Sequence, residues 1–126
     1  MDMKIDSNRL HETIEELRRI GRHESGMGTY RMAGSDAELA ARRWLIDTCK
    51  RRGIEAGEDA VGNVICRIGP DGPSVMTGSH LDSVPNGGYL DGALGVLCGL
   101  EAMTAIHESG RPIHRPLEVI AFFDEE

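Results

Sequence analysis

An apolar run at residues 117–123, LEVIAFF, sets the strongest limit on the fold. A strand with one face in water alternates apolar and polar residues, whereas this run is apolar at nearly every position. Such a strand is typical of a sheet that is covered on both faces, as in α/β proteins. Periodic helical segments and further strands precede it, so the order of the elements predicts an α/β domain.

Periodicity and capping residues predict the remaining elements. Ser7 is a candidate N-cap for the first helix, and Ser35 with Glu38 forms a capping box for the second, which Gly53 would close. The predicted helices span residues 7–20, 35–52 and 93–107, and the predicted strands span residues 63–68, 75–79 and 117–123, with a weaker strand before residue 63.

Only three residues, all acidic, follow the apolar strand. A strand of this kind normally leads into further structure, and we expect it to lack neighbours if that structure is missing. We therefore expect residues 1–126 to be the N-terminal part of a longer protein, or to need a partner. The alternative is a complete chain in which this strand lies at the edge of the sheet.

Charge and composition disfavour several classes of protein. The chain carries 21 acidic and 14 basic residues, a net charge of −7, which disfavours nucleic-acid binding. Its apolar residues are too interrupted for a membrane span. The three cysteines form no CxxC pair, so a disulfide framework and a thiolate metal site are not expected. The charged N-terminus does not resemble a signal or transit peptide, and we expect a cytoplasmic protein.

Metal-type ligands follow two of the predicted strands. His80 and Asp82 come directly after the strand at residues 75–79, with Asp91 further on, and Asp124, Glu125 and Glu126 follow the apolar strand. In open α/β sheets, ligands bind outside the carboxyl ends of the strands. Carboxylates that converge there repel one another unless a cation is present. Imidazole and carboxylate without thiolate suit zinc, manganese or cobalt in a hydrolytic site.

Spacing suggests a role for each residue. His80 could bind a metal ion through one ring nitrogen while the other nitrogen donates to Asp82. Asp91 could bridge two ions. Of Glu125 and Glu126, one could ligate a metal while the other acts as the general base toward a water molecule. Taken singly, an H-x-D sequence is more often a hydrogen-bonded loop histidine, and a DEE run is more often a solvated strand end.

The combined motif is much more specific than its parts. Residues 78–96, GSHLDSVPNGGYLDGALGV, followed by FFDEE at residues 122–126, resemble the two-metal exopeptidase and aminoacylase superfamily. Within it, they resemble the hydantoinase/carbamoylase branch, which includes N-carbamoyl-L-amino acid hydrolases, allantoate amidohydrolases and ureidoglycolate hydrolases. Softer matches lie upstream, in GTYR at residues 28–31 together with Ser35 and Asp36, and in DAVGN at residues 59–63.

The resemblance implies specific roles at the matching positions. His80 matches a ligand of one metal ion, Asp91 the aspartate that bridges both ions, and Glu126 a ligand of the other ion. Glu125 matches the general base, and Asp82 matches the carboxylate that supports His80. The implied cofactors are two divalent ions, zinc, manganese or cobalt. A cis peptide bond between Asp91 and Gly92 is also implied.

The resemblance further implies a fold and an activity. Residues 1–126 would be the N-terminal portion of a mixed-sheet, zinc-exopeptidase-like catalytic domain, without the inserted dimerisation domain and the C-terminal half. The full-length protein would be a homodimeric, metal-dependent amidohydrolase that cleaves a C–N bond of a small ureido or amide compound, such as an N-carbamoyl amino acid or allantoate. The chain alone would be inactive, because the family's later histidine ligands are not in it. The alternatives are a dipeptidase or aminoacylase of the same superfamily, and a truncated, non-catalytic product.

Overall fold

A computed structural model describes residues 2–126 as three helices and four strands. This composition confirms the predicted α/β class. The helices are α1 (Ser7–Arg18), α2 (Asp36–Arg51) and α3 (Ala93–Glu108), and the strands are β1 (Glu55–Glu58), β2 (Val64–Ile68), β3 (Val75–His80) and β4 (Leu117–Phe122).

The four strands form one mixed sheet in the order β1-β2-β4-β3. β1 and β2 are antiparallel, as are β2 and β4, whereas β3 and β4 are parallel. The expectation that β4 would lack neighbours is wrong, as is the alternative that it lies at an edge. Strands formed earlier in the chain, β2 and β3, flank it on both sides, so its backbone is paired without any downstream segment.

Helices α2 and α3 pack on one face of the sheet, and α1 packs against α3. Cys66 of β2 and Val119 of β4 are register partners on that face, and both are buried among the helices. On the opposite face, Met76 and Phe122 are 54% and 44% exposed. The apolar pattern of β4 predicted cover on both faces, and the part of the chain that the structure describes supplies it on one. The face with Met76 and Phe122 therefore presents apolar surface to solvent.

One of the predicted helix starts differs in detail from that observed. Asp6, not Ser7, caps α1, because its side chain accepts hydrogen bonds from the backbone N–H groups of Asn8 and Arg9. At α2, the Ser35 side chain accepts from the Glu38 N–H, as predicted. When two adjacent residues can both cap a helix, the sequence alone does not decide which of them is the N-cap.

An ion-pair network joins the N-terminus of α1 to the buried side of α3. Glu101 has a side chain only 2% exposed, and its carboxylate accepts hydrogen bonds from the guanidinium of Arg9 and from the backbone N–H of Asp6. Although burial raises the pKa of Glu101, these hydrogen bonds and the charge of Arg52 lower it below its ordinary value. Arg9 also pairs with Glu108, whose side chain is 56% exposed.

We expect Glu101→Gln to lower the free energy of unfolding by about 2–3 kcal/mol, because it leaves the partly buried charge of Arg9 without its main partner. Because folding lowers the pKa of Glu101, its contribution is complete above the ordinary value of 4.5 and is lost as the pH falls through the lowered value. The difference between wild type and variant in urea unfolding should therefore shrink below about pH 4.

Glu108→Gln is the matched control, since it removes a carboxylate from the same arginine at an exposed position. We expect it to cost less than about 1 kcal/mol. Equal losses in the two variants would show that burial of Glu101 adds nothing to the network.

Candidate metal centre

The parallel pairing of β3 with β4 brings the two predicted clusters together. His80, the last residue of β3, is the register partner of Phe122, the last residue of β4. The acidic residues 124–126 therefore begin beside His80, at the carboxyl end of both strands. Asp91 reaches the same edge through the loop between β3 and α3, just before the first turn of α3.

Three of the predicted site residues offer ligand atoms within a small volume. One imidazole nitrogen of His80 and one carboxylate oxygen each of Asp91 and Glu126 lie within 4.8 Å of one another. His80 is buried, whereas the two carboxylates are exposed. The His80 Nε2 atom lies 3.8 Å from Asp91 Oδ2. These residues are 46 positions apart in the chain at the extremes, so only the folded sheet can assemble them.

Asp82 lies on the Nδ1 side of the imidazole, and its supporting role stays a prediction. The His80 Nδ1 atom is 2.9 Å from the backbone oxygen of Asp82 and 3.3 Å from its Oδ1 atom. The second carboxylate oxygen, Oδ2, accepts a hydrogen bond of 3.0 Å from the backbone N–H of Glu126. Asp82 is 3% exposed. One buried carboxylate thus contacts both His80 and the backbone of Glu126.

Glu125 also faces the imidazole. Its Oε2 atom lies 3.2 Å from His80 Nε2, and its side chain is 52% exposed. Glu125 thus borders Nε2 directly, and a carboxylate oxygen of Glu126 lies within 4.8 Å of a ring nitrogen of the same imidazole. The assignment of one as metal ligand and the other as general base stays a prediction, because both carboxylates lie close to the His80 imidazole.

The electrostatics of this edge suit a divalent cation. A hydrogen bond with Asp91, some burial, and the negative charge of Asp91 raise the pKa of Glu126 above its ordinary value. Glu126 therefore holds its proton more tightly than an isolated glutamate does, because ionised carboxylates that lie close together repel each other. A cation that replaces the proton would relieve the repulsion, and one imidazole with two carboxylates is a donor set that zinc, manganese and cobalt accept. The residues present therefore fit a metal ion.

Gly92 lets the backbone before α3 lie directly against the His80 ring. A Cβ atom at Gly92 would lie within 2.4 Å of three atoms of the His80 ring, so any larger residue would push the ring aside. Gly92 also has φ +68°, a conformation that favours glycine. The expectation of a cis peptide bond between Asp91 and Gly92 is wrong, because that bond is trans. The positive φ of Gly92 turns the chain into α3 instead.

Arg31 supports the loop that carries Asp82, and the sequence marked it only as part of the softer GTYR match. It is 1% exposed. Its guanidinium donates to the carbonyl of Leu81 at 2.6 Å and to the carbonyls of Leu17 and Ile20 at the end of α1. Burial lowers the pKa of Arg31 to about 10, so it remains charged at neutral pH. Its place in the glycine-rich loop does not single it out, because Arg22 lies in the same loop and is exposed.

The DAVGN segment at residues 59–63 anchors the end of β4. The Asp59 carboxylate accepts hydrogen bonds from three backbone N–H groups of its own turn and from the Asn63 side chain. Asn63 Oδ1 in turn accepts from the backbone N–H of Phe123 at 2.8 Å. Phe123 lies two residues before Glu125, so this hydrogen bond to the turn fixes where the acidic segment leaves the sheet.

We expect Arg31→Lys to weaken zinc binding by the purified chain about tenfold and to lower the free energy of unfolding by about 2 kcal/mol. A lysine keeps the charge but cannot donate to Leu81 and to the end of α1 at the same time. Isothermal titration calorimetry and urea unfolding measure the two effects. Arg19→Lys, at an exposed arginine of the same region, should leave both unchanged.

Comparison with known proteins gives this geometry a context. The profile of Peptidase family M28 matches residues 63–126, which include every candidate site residue. An N-carbamoyl-L-amino acid amidohydrolase of Geobacillus stearothermophilus is 42% identical over 125 residues, which cover 97% of this chain and 30% of that protein. A ureidoglycolate hydrolase of Arabidopsis thaliana is 35% identical over 127 residues, or 98% of this chain and 26% of that protein.

Solved structures agree with the sequence comparison. The crystal structure of a hydantoinase/carbamoylase family amidase from Burkholderia ambifaria superposes with a TM-score of 0.91 at 36% identity, covering 98% of this chain and 31% of that one. The chain thus spans about 30% of the length of the relatives it matches.

Across residues 2–126, none of the helices has the length and hydropathy needed to cross a membrane.

Proposed function

The chain belongs to peptidase family M28, in its hydantoinase/carbamoylase branch, and from this membership we propose that the full-length protein is a metal-dependent amidohydrolase. Its substrate would be a small ureido or amide compound, such as an N-carbamoyl amino acid, allantoate or ureidoglycolate. The observation that carries the proposal is the convergence of His80, Asp91 and Glu126 at one sheet edge in a chain of this family. Residues 1–126 would form the N-terminal segment of its catalytic domain.

The site would hold two divalent ions, zinc, manganese or cobalt. His80 would ligate one ion, Glu126 the other, and Asp91 would bridge them. When bound, the ions supply Lewis-acid chemistry, which activates water and polarises the scissile carbonyl group. Later residues of the full-length protein would complete the ligand set, because three donors are few for two ions.

Glu125 is our candidate for the general base. It would accept a proton from the attacking water and deliver it to the leaving nitrogen, which is the proton traffic that C–N hydrolysis requires. Its carboxylate is half exposed and borders the same space as His80 Nε2, so a water molecule can reach it. Asp82 would hold the imidazole with Nδ1 turned inward and Nε2 turned toward the metal.

A small open cavity beside the site supports a small substrate. It has a volume of about 240 Å³ and lies between the loop that follows Asp82 and the acidic segment. Its lining includes Met32, Ser83, Asp124 and Glu126. A mixed apolar and polar lining suits a compact ureido compound with one polar end.

We also propose a cytoplasmic location and a homodimer for the full-length protein.

A chimera tests the proposal directly. Residues 1–126 would replace the matching segment of the Geobacillus stearothermophilus relative, and the purified, metal-loaded chimera would be assayed on N-carbamoyl amino acids, allantoate and ureidoglycolate. We expect turnover of at least one ureido compound that a chelator abolishes and added metal restores. The unmodified relative is the control for assay and metal loading.

Dipeptides and N-acetyl amino acids would be assayed in parallel. Turnover of these alone would contradict the ureido proposal and favour a dipeptidase or aminoacylase. A folded chimera that binds metal and turns over none of the compounds would favour a non-catalytic product.

A further inference from the structure

Two cysteines that are far apart in sequence contact each other in the core. Cys49 lies in the last turn of α2 and Cys66 in the middle of β2, and their Sγ atoms are 3.2 Å apart. Both side chains are fully buried and both thiols are free. The sequence gives no CxxC pair, and only the packing of α2 against β2 brings the two sulfurs together. The site described above uses neither of them.

The separation is close to what a covalent bond requires. A disulfide bond is about 2.05 Å long, so the two sulfurs need to approach by little more than 1 Å. Side-chain rotation with a slight shift of the helix end can supply that movement. Cys98, the third cysteine, is exposed on α3 and has no part in this contact.

The surroundings distinguish the two thiols. A hydrogen bond with Cys66 lowers the pKa of the Cys49 thiol, and the positive charge of Arg52 lowers it further, although burial opposes both. The hydrogen bond with Cys49 and burial raise the pKa of Cys66. Cys49 is therefore the sulfur with more thiolate character and the better nucleophile, while Cys66 stays protonated beside it.

Access to the pair lies at the end of α2. Cys49 is two residues from the last residue of the helix, and the chain reverses at Gly53, which has φ +72°. Helix ends open more readily than helix centres, so brief opening of the last turn can admit a molecule as small as a hydroperoxide. Bulky thiol reagents would be excluded unless the core unfolds.

We propose that Cys49 and Cys66 are a modification site, at which a hydroperoxide converts the two thiols into an intramolecular disulfide. The Cys49 thiolate attacks the peroxide oxygen, which breaks the O–O bond and gives a sulfenic acid and hydroxide in the case of hydrogen peroxide. The Cys66 sulfur then attacks the Cys49 sulfur, and the sulfenic oxygen leaves with two protons as water. Two thiols and one peroxide thus give one disulfide and two waters.

The disulfide would link α2 to β2 across the core. It would close a loop from residue 49 to residue 66 and so restrict the unfolded chain. We expect the midpoint of thermal unfolding to rise by about 5 °C or more after oxidation, and to return after treatment with dithiothreitol.

The test uses Cys98→Ser, which leaves only the two buried thiols. The purified chain is treated with hydrogen peroxide, unfolded in the presence of an alkylating reagent, and analysed by mass spectrometry. We expect the loss of two hydrogen atoms, no alkylation, and a peptide that joins residues 49 and 66. In Cys98→Ser with Cys66→Ala, we expect Cys49 to gain oxygen instead, because the second thiol is absent. Far-UV circular dichroism confirms that each variant is folded.

Two results would overturn the proposal. One is that both thiols of Cys98→Ser remain free for alkylation under conditions that fully oxidise Cys98 in the wild-type chain. The other is a disulfide only between two chains, seen as a dimer on a non-reducing gel. The double variant Cys49→Ala with Cys98→Ser keeps Cys66 alone and tests whether Cys49 is the thiol that reacts first. Oxidation of Cys66 in this variant at the rate seen for the intact pair would also contradict the assigned role of Cys49.

Discussion

Glu125→Gln is expected to lower kcat of the chimera by about 10²- to 10⁴-fold. Glutamine has nearly the same shape as glutamate but cannot accept the proton of the attacking water. The metal content should stay unchanged, because Glu125 is proposed as a base and not as a ligand. Steady-state kinetics on the best ureido substrate and metal analysis of the same preparation provide the two measurements.

The pH profile separates a base from a residue that only shapes the site. Loss of a general base should remove the acidic limb of the kcat profile, whereas a structural defect should lower all rates alike. Glu12→Gln, at an exposed glutamate of α1, is the control and should leave both kcat and metal content unchanged. If Glu125→Gln loses metal while its remaining activity keeps the pH profile of the unsubstituted chimera, the roles are exchanged, with Glu125 as the metal ligand and Glu126 as the base.

The 126-residue chain by itself is expected to turn over none of the ureido compounds and to bind zinc weakly. It offers one imidazole and two carboxylates, and with Asp91 counted for both ions each ion would have two protein ligands. Catalytic zinc sites have three. In a polypeptide that ends at residue 126, ordering of the last residues costs roughly 1–2 kcal/mol each, and the terminal carboxylate adds charge beside Glu125.

Zinc, manganese and cobalt titrations of the isolated chain measure this directly, with the chimera as the reference. His80→Ala should weaken the remaining affinity by at least about tenfold, since His80 is the nitrogen donor of the three-residue group at this edge. Metal-dependent turnover by the isolated chain that disappears in Glu125→Gln would show that the rest of the protein is dispensable for the chemistry.

Local patterns in the sequence sufficed for the elements and for the list of candidate residues. The apolar run at residues 117–123 predicted a strand, which is β4, and Ser35 marked the start of α2 to the residue. The motif around His80, followed by DEE after the last strand, pointed to metal chemistry and to the family. These signals are short-range, because side-chain alternation, helix capping and each ligand motif are contained within short stretches of the chain.

Contacts over long sequence distances could be found only in the folded structure. The parallel pairing of β3 and β4 decided that His80 and Glu126 share one edge, and it refuted the expectation that β4 would lack neighbours. The same holds for the hydrogen bond from the Glu126 N–H to Asp82 and for the burial of Arg31.

The contact between Cys49 and Cys66 is the plainest case. Nothing in the spacing of the cysteines indicates it, because one lies on a helix and the other on a strand. Each fits its own element as a small apolar side chain. Their separation of 3.2 Å depends on how α2 lies across β2. That orientation is set by the sum of many weak packing contacts in the core, which no single segment of the sequence contains.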